Sequence, residues 1–176
     1  MASVVIKRRR HGKRRMSMPF IALAIGVVLA AADQFFKYLI LSNFEVGQTQ
    51  ALIPNLLNLT YVRNEGVAFG LFSGMQWIFI VLTTLMLAAI IIYMFKKRPQ
   101  SKFFYFTVAL IVGGGVGNLI DRVAYGYVVD YLSLTFFKPV CNFADYCITV
   151  GVVLLAVYLL FFADKKDKKV KKHDGA

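Results

Sequence analysis

Apolar residues fill four windows of the chain, each long enough to cross a bilayer. A membrane helix needs about 20 mostly apolar residues. The first window runs from about Met18 to Leu41 and is interrupted by Asp33, Gln34 and Lys37. The second runs from Met75 to Phe95, with Gln76, Thr83 and Thr84 as its clearly polar members. The third runs from Phe103 to about Ile120 and ends in Asp121 and Arg122. The fourth follows Asp145 and runs from Tyr146 to Ala163. Hydrocarbon offers backbone groups no water, so each window is predicted to be helical. Between the first two, Asn58-Leu59-Thr60-Tyr61-Val62-Arg63-Asn64 alternates polar and apolar positions. That period of two predicts a short strand at the membrane surface, punctuated by turns at Gly47, Pro54, Gly66 and Gly70.

Composition sharpens this picture. The 176 residues suffice for one domain, but only 17% are charged and 59% are apolar. Soluble domains carry about 25% charged residues, so a water-soluble globule is excluded, as are disorder and collagen. Two cysteines make no disulfide framework, and two histidines, both in the tails, make no metal cage.

The net charge of +12 raises the question of nucleic acid, and its location answers it. Residues 1–17, 96–102 and 164–176 together hold 17 of the 21 basic residues. Four spans put these three segments on one side, which the Lys/Arg bias makes cytoplasmic. The basic tails thus read as topology signals and sites of attraction to anionic lipid, with no nucleic-acid partner. Loops 42–74 and 123–144 then face outward. Tyr131, Leu132, Leu134, Phe136 and Phe137 in the second of these predict a segment dipping into the headgroup region. Lys7–Arg15 and the Ala30-Ala31-Ala32 run imitate a cleavable secretory signal. Three further spans follow, so the segment is read as an uncleaved first helix.

Charges inside a membrane are costly, from about 2.5 kcal/mol upward, so the polar residues near the outward ends of the spans carry information. Asp33 and Lys37 are four apart, on one helix face. They are either a fixed pair that props a site or a lysine snorkelling outward beside a local acid. Asn118, Asp121 and Arg122 end the third helix, where Asp121 and Arg122 also read as an interfacial ion pair. Gly113, Gly114, Gly115 and Gly117 before them suit close helix packing. Asp130 reads singly as a solvated loop acid. Asp145, with Asn142 one turn earlier, reads singly as an acid at a helix N-terminus. Together the two aspartates lie at the same membrane face, fifteen residues apart across one loop.

Two neighbouring carboxyl groups in a low dielectric share one proton. The ionised one takes a proton from water as that water attacks a carbonyl, and the protonated one supports the carbonyl oxygen. This chemistry needs no metal or cofactor. His11 and His173 lie in the tails, which excludes a histidine triad. A Ser–Lys protease would need a neutral Lys37, which Asp33 is placed to keep charged. Cys141 and Cys147 are read as small buried thiols. A carrier using intramembrane carboxylates is the non-enzymatic alternative, although the chain shows no inverted repeat.

Five blocks then stand in one order: Asp33-Gln34-Phe35-Phe36-Lys37, Arg63-Asn64-Glu65-Gly66-Val67-Ala68-Phe69-Gly70, Gly113-Gly114-Gly115-Val116-Gly117-Asn118-Leu119-Ile120-Asp121-Arg122, Val128-Val129-Asp130-Tyr131 and Asn142-Phe143-Ala144-Asp145. On these the chain resembles the bacterial lipoprotein signal peptidases, or signal peptidase II, over about residues 18–163. The resemblance implies an all-α membrane protein: a four-transmembrane-helix bundle with a small extracytoplasmic β platform, a short interfacial helix, and both termini cytoplasmic. Residues 1–17 and 164–176 are then basic tails flanking one peptidase domain. It implies an aspartic endopeptidase of the bacterial inner membrane, active at the extracytoplasmic face, with no cofactor and no metal. Its partners are membrane lipids and prolipoproteins, cut just before a diacylglyceryl-modified Cys. The catalytic pair falls on Asp130 and Asp145. Asn64, Asn118, Asp121, Arg122 and Asn142 fall on polar positions around the pair or the substrate. Asp33, Lys37 and Gly114 fall on support positions. Cys141 replaces a usual Phe, and Tyr146-Cys147 stand where small residues are common. The basic N-terminal extension lies outside the family pattern. An inactive member that only binds precursors is a further alternative, against which the intact aspartate pair speaks.

Overall fold

The computed structural model describes residues 2–66 and 76–163. The tail 164–176, Met1 and the 67–75 part of the first loop, which holds Val67–Gly70 of the second block and Met75, lie outside the described residues. Among the described residues, four helices are long and apolar enough to cross a membrane. Helix α1 spans Ala2–Asn43 and includes the basic N-terminal segment; its apolar part is Ser17–Asn43. Strands β1 (Thr49–Ile53) and β2 (Leu57–Asn64) form a hairpin whose turn places Asn55 at φ 61°, a conformation asparagine tolerates. Helix α2 spans Gln76–Lys97 and α3 spans Lys102–Tyr125. Strands β3 (Val128–Leu134) and β4 (Val140–Cys141) precede α4 (Phe143–Tyr158), which ends in a π-helical turn, Leu159–Ala163.

Two boundaries and one element differ from expectation, the boundaries for local reasons and the element for a long-range one. Helix α3 runs past Arg122 to Tyr125 and stops at Gly126, whose φ of 76° and N–H to the Arg122 carbonyl make a left-handed cap. Helix α4 begins at Phe143, three residues before the apolar window, because Asn142 caps it. The outward segment 128–134 is a strand. It pairs with β2 in a four-stranded antiparallel sheet of order β1-β2-β3-β4, and its first four residues are buried. The expected short interfacial helix is not among the described residues.

Helix α3 is the axle. Two thirds of its apolar window (67%) is buried, against 28% for α1, 11% for α2 and 17% for α4. Its glycines explain how three helices reach it at one level. A Cβ on Gly113 would strike Leu29 and the Gly26 carbonyl of α1, one on Gly114 would strike Ala144 of α4, and one on Gly115 would strike Leu87 of α2. Successive residues turn by about 100°, so three neighbouring glycines face three partners. From this level downward a core of Ala22, Leu87, Met94, Phe104, Val108 and Ile111 fills the bundle. A second cluster, Ile40, Tyr61, Val129 and Tyr131, seats the sheet on the helix ends.

Candidate active site

At the sheet end of the bundle, α1 and α3 finish, β2 and β3 pair, and α4 begins. The polar residues of the spans meet there. Asn142, in extended backbone, accepts the Asp145 N–H with its side-chain oxygen (2.9 Å), and Asp145 Oδ2 accepts the Asn142 N–H (3.1 Å). This reciprocal cap satisfies two amides that a helix start leaves orphaned. The Ala144 N–H donates to Asp33 Oδ1 on α1 (3.0 Å). The first turn of α4 is therefore tied both to itself and to α1, which sets the position of Asp145.

With its oxygen engaged, the Asn142 amide nitrogen points the other way. It donates to Asp130 Oδ1 (2.6 Å) and to Asn118 Oδ1 (3.1 Å). One asparagine thus touches both Asp130 and Asp145. Asn118 Nδ2 donates to Asp145 Oδ1 (2.7 Å). From β2, Asn64 Nδ2 donates to Asp130 Oδ2 (2.8 Å). The register makes this possible: Asp130 pairs with Val62 and Asn64 with Val128, so Asn64 and Asp130 are diagonal neighbours across the pair.

Beneath lies a buried ion cluster. Lys37 is 2% exposed, and its ammonium meets Asp33 Oδ2 (2.8 Å), Asp121 Oδ2 (2.9 Å) and Asn118 Oδ1 (2.9 Å). Three donors find three acceptors, so the fixed-pair reading of Asp33 and Lys37 holds and the snorkelling one does not. Asp121 pairs with Lys37, not with its neighbour Arg122, and its Oδ2 also accepts the Val129 N–H (2.9 Å). Arg122 donates to the Asn118 carbonyl (3.3 Å), lies over the Phe79 ring (5.6 Å), and leaves Nε buried without a partner among the described residues. Asp145, Asp130 and Asp121 all lie within electrostatic reach of its guanidinium. Gly114 contributes closeness alone, letting α4 approach α3.

Asp130 is no solvated loop acid: it is 1% exposed. Burial pushes its carboxyl up to about 6; the Asn64 donor opposes this, the Asp145 charge adds to it, and the Asn142 donor opposes it. The Cys141 thiol is raised by burial and then by the Asp145 and Asp130 charges, which favours its protonated form. Two carboxyl groups joined through one amide, with one poised to hold a proton, can activate a water and protonate a carbonyl oxygen.

Sequence reasoning left out Gln34. Its amide donates to Asp121 Oδ1 (2.8 Å) and the Gly117 carbonyl (3.1 Å), completing the shell of Asp121. The signal was a polar residue beside Asp33 in an apolar span. Tyr131, buried beneath the sheet, also meets the Phe143 backbone at the start of α4. The sequence placed it in the fourth block and among the aromatic residues of the second outward loop, but nothing there marked a contact with α4.

The sequence matches the family described as signal peptidase (SPase) II over residues 25–161. The lipoprotein signal peptidase of Lactococcus lactis subsp. lactis (strain IL1403) is 40% identical over 149 residues, covering 84% of this chain and 97% of that protein. The lipoprotein signal peptidase of Desulfitobacterium hafniense (strain DSM 10664 / DCB-2) is 44% identical over 149 residues, covering 85% and 97%. A solved bacterial membrane enzyme superposes with a TM-score of 0.76 at 34% identity, covering 81% of this chain and 94% of that one.

Proposed function

The chain belongs to the signal peptidase II family, and from that premise we propose that Asp130 and Asp145 are the pair with which it cuts diacylglyceryl-modified prolipoproteins just before the lipidated Cys. It is a multi-pass membrane endopeptidase, and family membership removes the carrier alternative. The observation that carries the pair is Asn142. Its amide nitrogen donates to Asp130 while its oxygen and N–H hold Asp145.

In this reading Asp130 holds the proton, because burial favours its neutral form. Asp145 acts as the base, with donors from Asn118 and the Asn142 backbone and the Arg122 charge nearby. A water gives its proton to Asp145 as its oxygen attacks the scissile carbonyl, and Asp130 protonates the carbonyl oxygen. Collapse returns a diol proton to Asp130. Asp145 gives its proton to the leaving nitrogen as the C–N bond breaks. Asn64, Asn118, Asn142, Asp33, Lys37 and Asp121 hold the pair in place, and Arg122 and the sheet face the substrate.

The charge bias supports the orientation. Segments 1–17, 96–102 and 164–176 are cytoplasmic, the peptidase domain is 18–163, and the sheet end faces outward at the bacterial inner membrane. A substrate anchored by its diacylglyceryl group arrives through the outer leaflet, which is where this end lies.

The test is incubation of purified protein with a diacylglyceryl-modified precursor and with its unlipidated form. The lipidated form is cut. Asp130→Asn and Asp145→Asn lose about 10²–10⁴-fold in rate while retaining a wild-type unfolding midpoint to within a few degrees. Normal turnover in both variants refutes the pair. Precursor binding without hydrolysis by the unaltered protein marks an inactive member.

A further inference from the structure

The ion cluster does more than neutralise itself. An asparagine amide can sit either way round, and only its neighbours decide which end points where. Asn118 has its oxygen against the Lys37 ammonium (2.9 Å) and the Asn142 amide (3.1 Å), and its nitrogen against Asp145 Oδ1 (2.7 Å). Lys37 can only donate, so it forbids the reversed amide. The reversed amide would set an oxygen against the Asp145 carboxylate and an N–H₂ against both a cation and another N–H₂.

We propose that Lys37 is a positioning residue for the cleavage reaction, acting through Asn118: it locks the Asn118 amide so that its donor faces Asp145. The inference rests on the Asp130–Asp145 reading above. The cation is itself fixed by Asp33 and Asp121, each buried with no exposed surface, so it cannot swing away from Asn118. Asp33 also holds the Ala144 N–H and Asp121 the Val129 N–H, next to Asp145 and Asp130 respectively. The lock and the two aspartates therefore share one frame. Asp145 further faces Asn142, Asp130 and the Arg122 charge; of these, Asn142 backs the same Asn118 orientation with a neutral donor of its own, and Lys37 adds the fixed cation.

The experiment is a double-substitution cycle on the full-length protein with a lipidated precursor. Lys37→Met is made together with Asp33→Asn, which preserves the buried charge balance and leaves an oxygen for the Ala144 N–H. It is compared with Asn118→Ala and with the triple variant. Unfolding midpoints are recorded for all. Asp33→Asn/Lys37→Met is expected to lower kcat about tenfold or more with little change in KM. It also makes one ionised carboxylate harder to maintain, so the acidic limb of the pH–rate profile moves to higher pH. Asn118→Ala is expected to lose a similar factor. The triple variant should be no slower than Asn118→Ala, with no further limb shift, because the lysine acts through the asparagine. Multiplying losses in the triple variant, or a limb shift that persists without Asn118, would overturn the lock and assign Lys37 a role of bulk charge or folding. Wild-type kcat in Asp33→Asn/Lys37→Met would also overturn it. Should the Asp130→Asn and Asp145→Asn variants stay active, the failure lies with the pair. Should they be dead while the Lys37 variant is normal, it lies with the lock alone.

Discussion

Asn64 reaches the Asp130 oxygen that Asn142 leaves free, and it opposes the effect of burial on that carboxyl. On the proposed chemistry, cleavage falls as pH rises through about 6, where Asp130 loses its proton. Asn64→Leu removes a donor to the ionised form, so this alkaline limb is expected to move to higher pH. The pH dependence of kcat/KM on a lipidated precursor reads the shift, and an unmoved limb would deny Asn64 any tuning role. The same carboxyl has a consequence for stability. Its folded-state value lies above the usual carboxylate value of about 3.9, so the folded protein binds the proton more tightly than the unfolded chain. Its stabilising contribution is present below about pH 4 and is lost as pH rises through about 6. Asp130→Asn has no proton to lose there. Its unfolding midpoint should therefore decline less than that of the unaltered protein between these two pH values.

The contact of α3 with α4 is made at Gly114. A Cβ there would meet the Ala144 carbonyl closer than real atoms approach, with Ile148 Cγ1 at 2.9 Å and Cys147 Cβ at 3.1 Å. Backbone cannot rotate away as a side-chain tip can, so Gly114→Ala must push the first turn of α4, which carries Asp145, off α3. Overpacking of this kind costs about 1–3 kcal/mol, and cleavage should fall well beyond what the lower unfolding midpoint explains. Gly126→Ala is the contrast. Its φ of 76° gives it a strain cost of about 1 kcal/mol, but open space surrounds it, so cleavage should survive. The four helices were legible in the sequence because hydrocarbon demands long apolar runs, and β2 because it alternates. β3 was not, since Val128, Val129, Asp130 and Tyr131 are all buried and its partner lies more than 60 residues away in sequence. Asn118 and Asp121 stood out as polar residues in costly places, whereas Asp130 and Asp145 were linked only by their shared membrane face and by the family blocks that also carry Asn64 and Asn142. The Asp121 bond to the Val129 N–H was not legible, because a backbone donor leaves no mark in side-chain pattern.

No single element carries the site. Asp33, Gln34 and Lys37 come from α1, Asn64 from β2, Asn118 and Asp121 from α3, Asp130 from β3, and Asn142 and Asp145 from the start of α4. Their meeting point is where the apolar spans give way to the sheet. Exposed aromatic side chains ring the same end: Trp77 at the start of α2, Tyr38 near the end of α1, Tyr125 at the end of α3, and Phe136 after β3. Aromatic residues of this kind mark a membrane–water boundary. Lys96, Lys97 and Arg98 stand at the far end of α2, with Lys102 at the start of α3. Charge asymmetry then predicts which end faces out. In a variant with Cys141 and Cys147 replaced by Ser, Gln50→Cys on exposed β1 should react with a membrane-impermeant maleimide in intact spheroplasts. Lys97→Cys should react only after the membrane is opened. The reverse pattern would turn the molecule over and put the aspartates on the cytoplasmic side. It would also break the proposed link between the site and a lipid-anchored substrate arriving through the outer leaflet, because the same sheet cannot serve both faces.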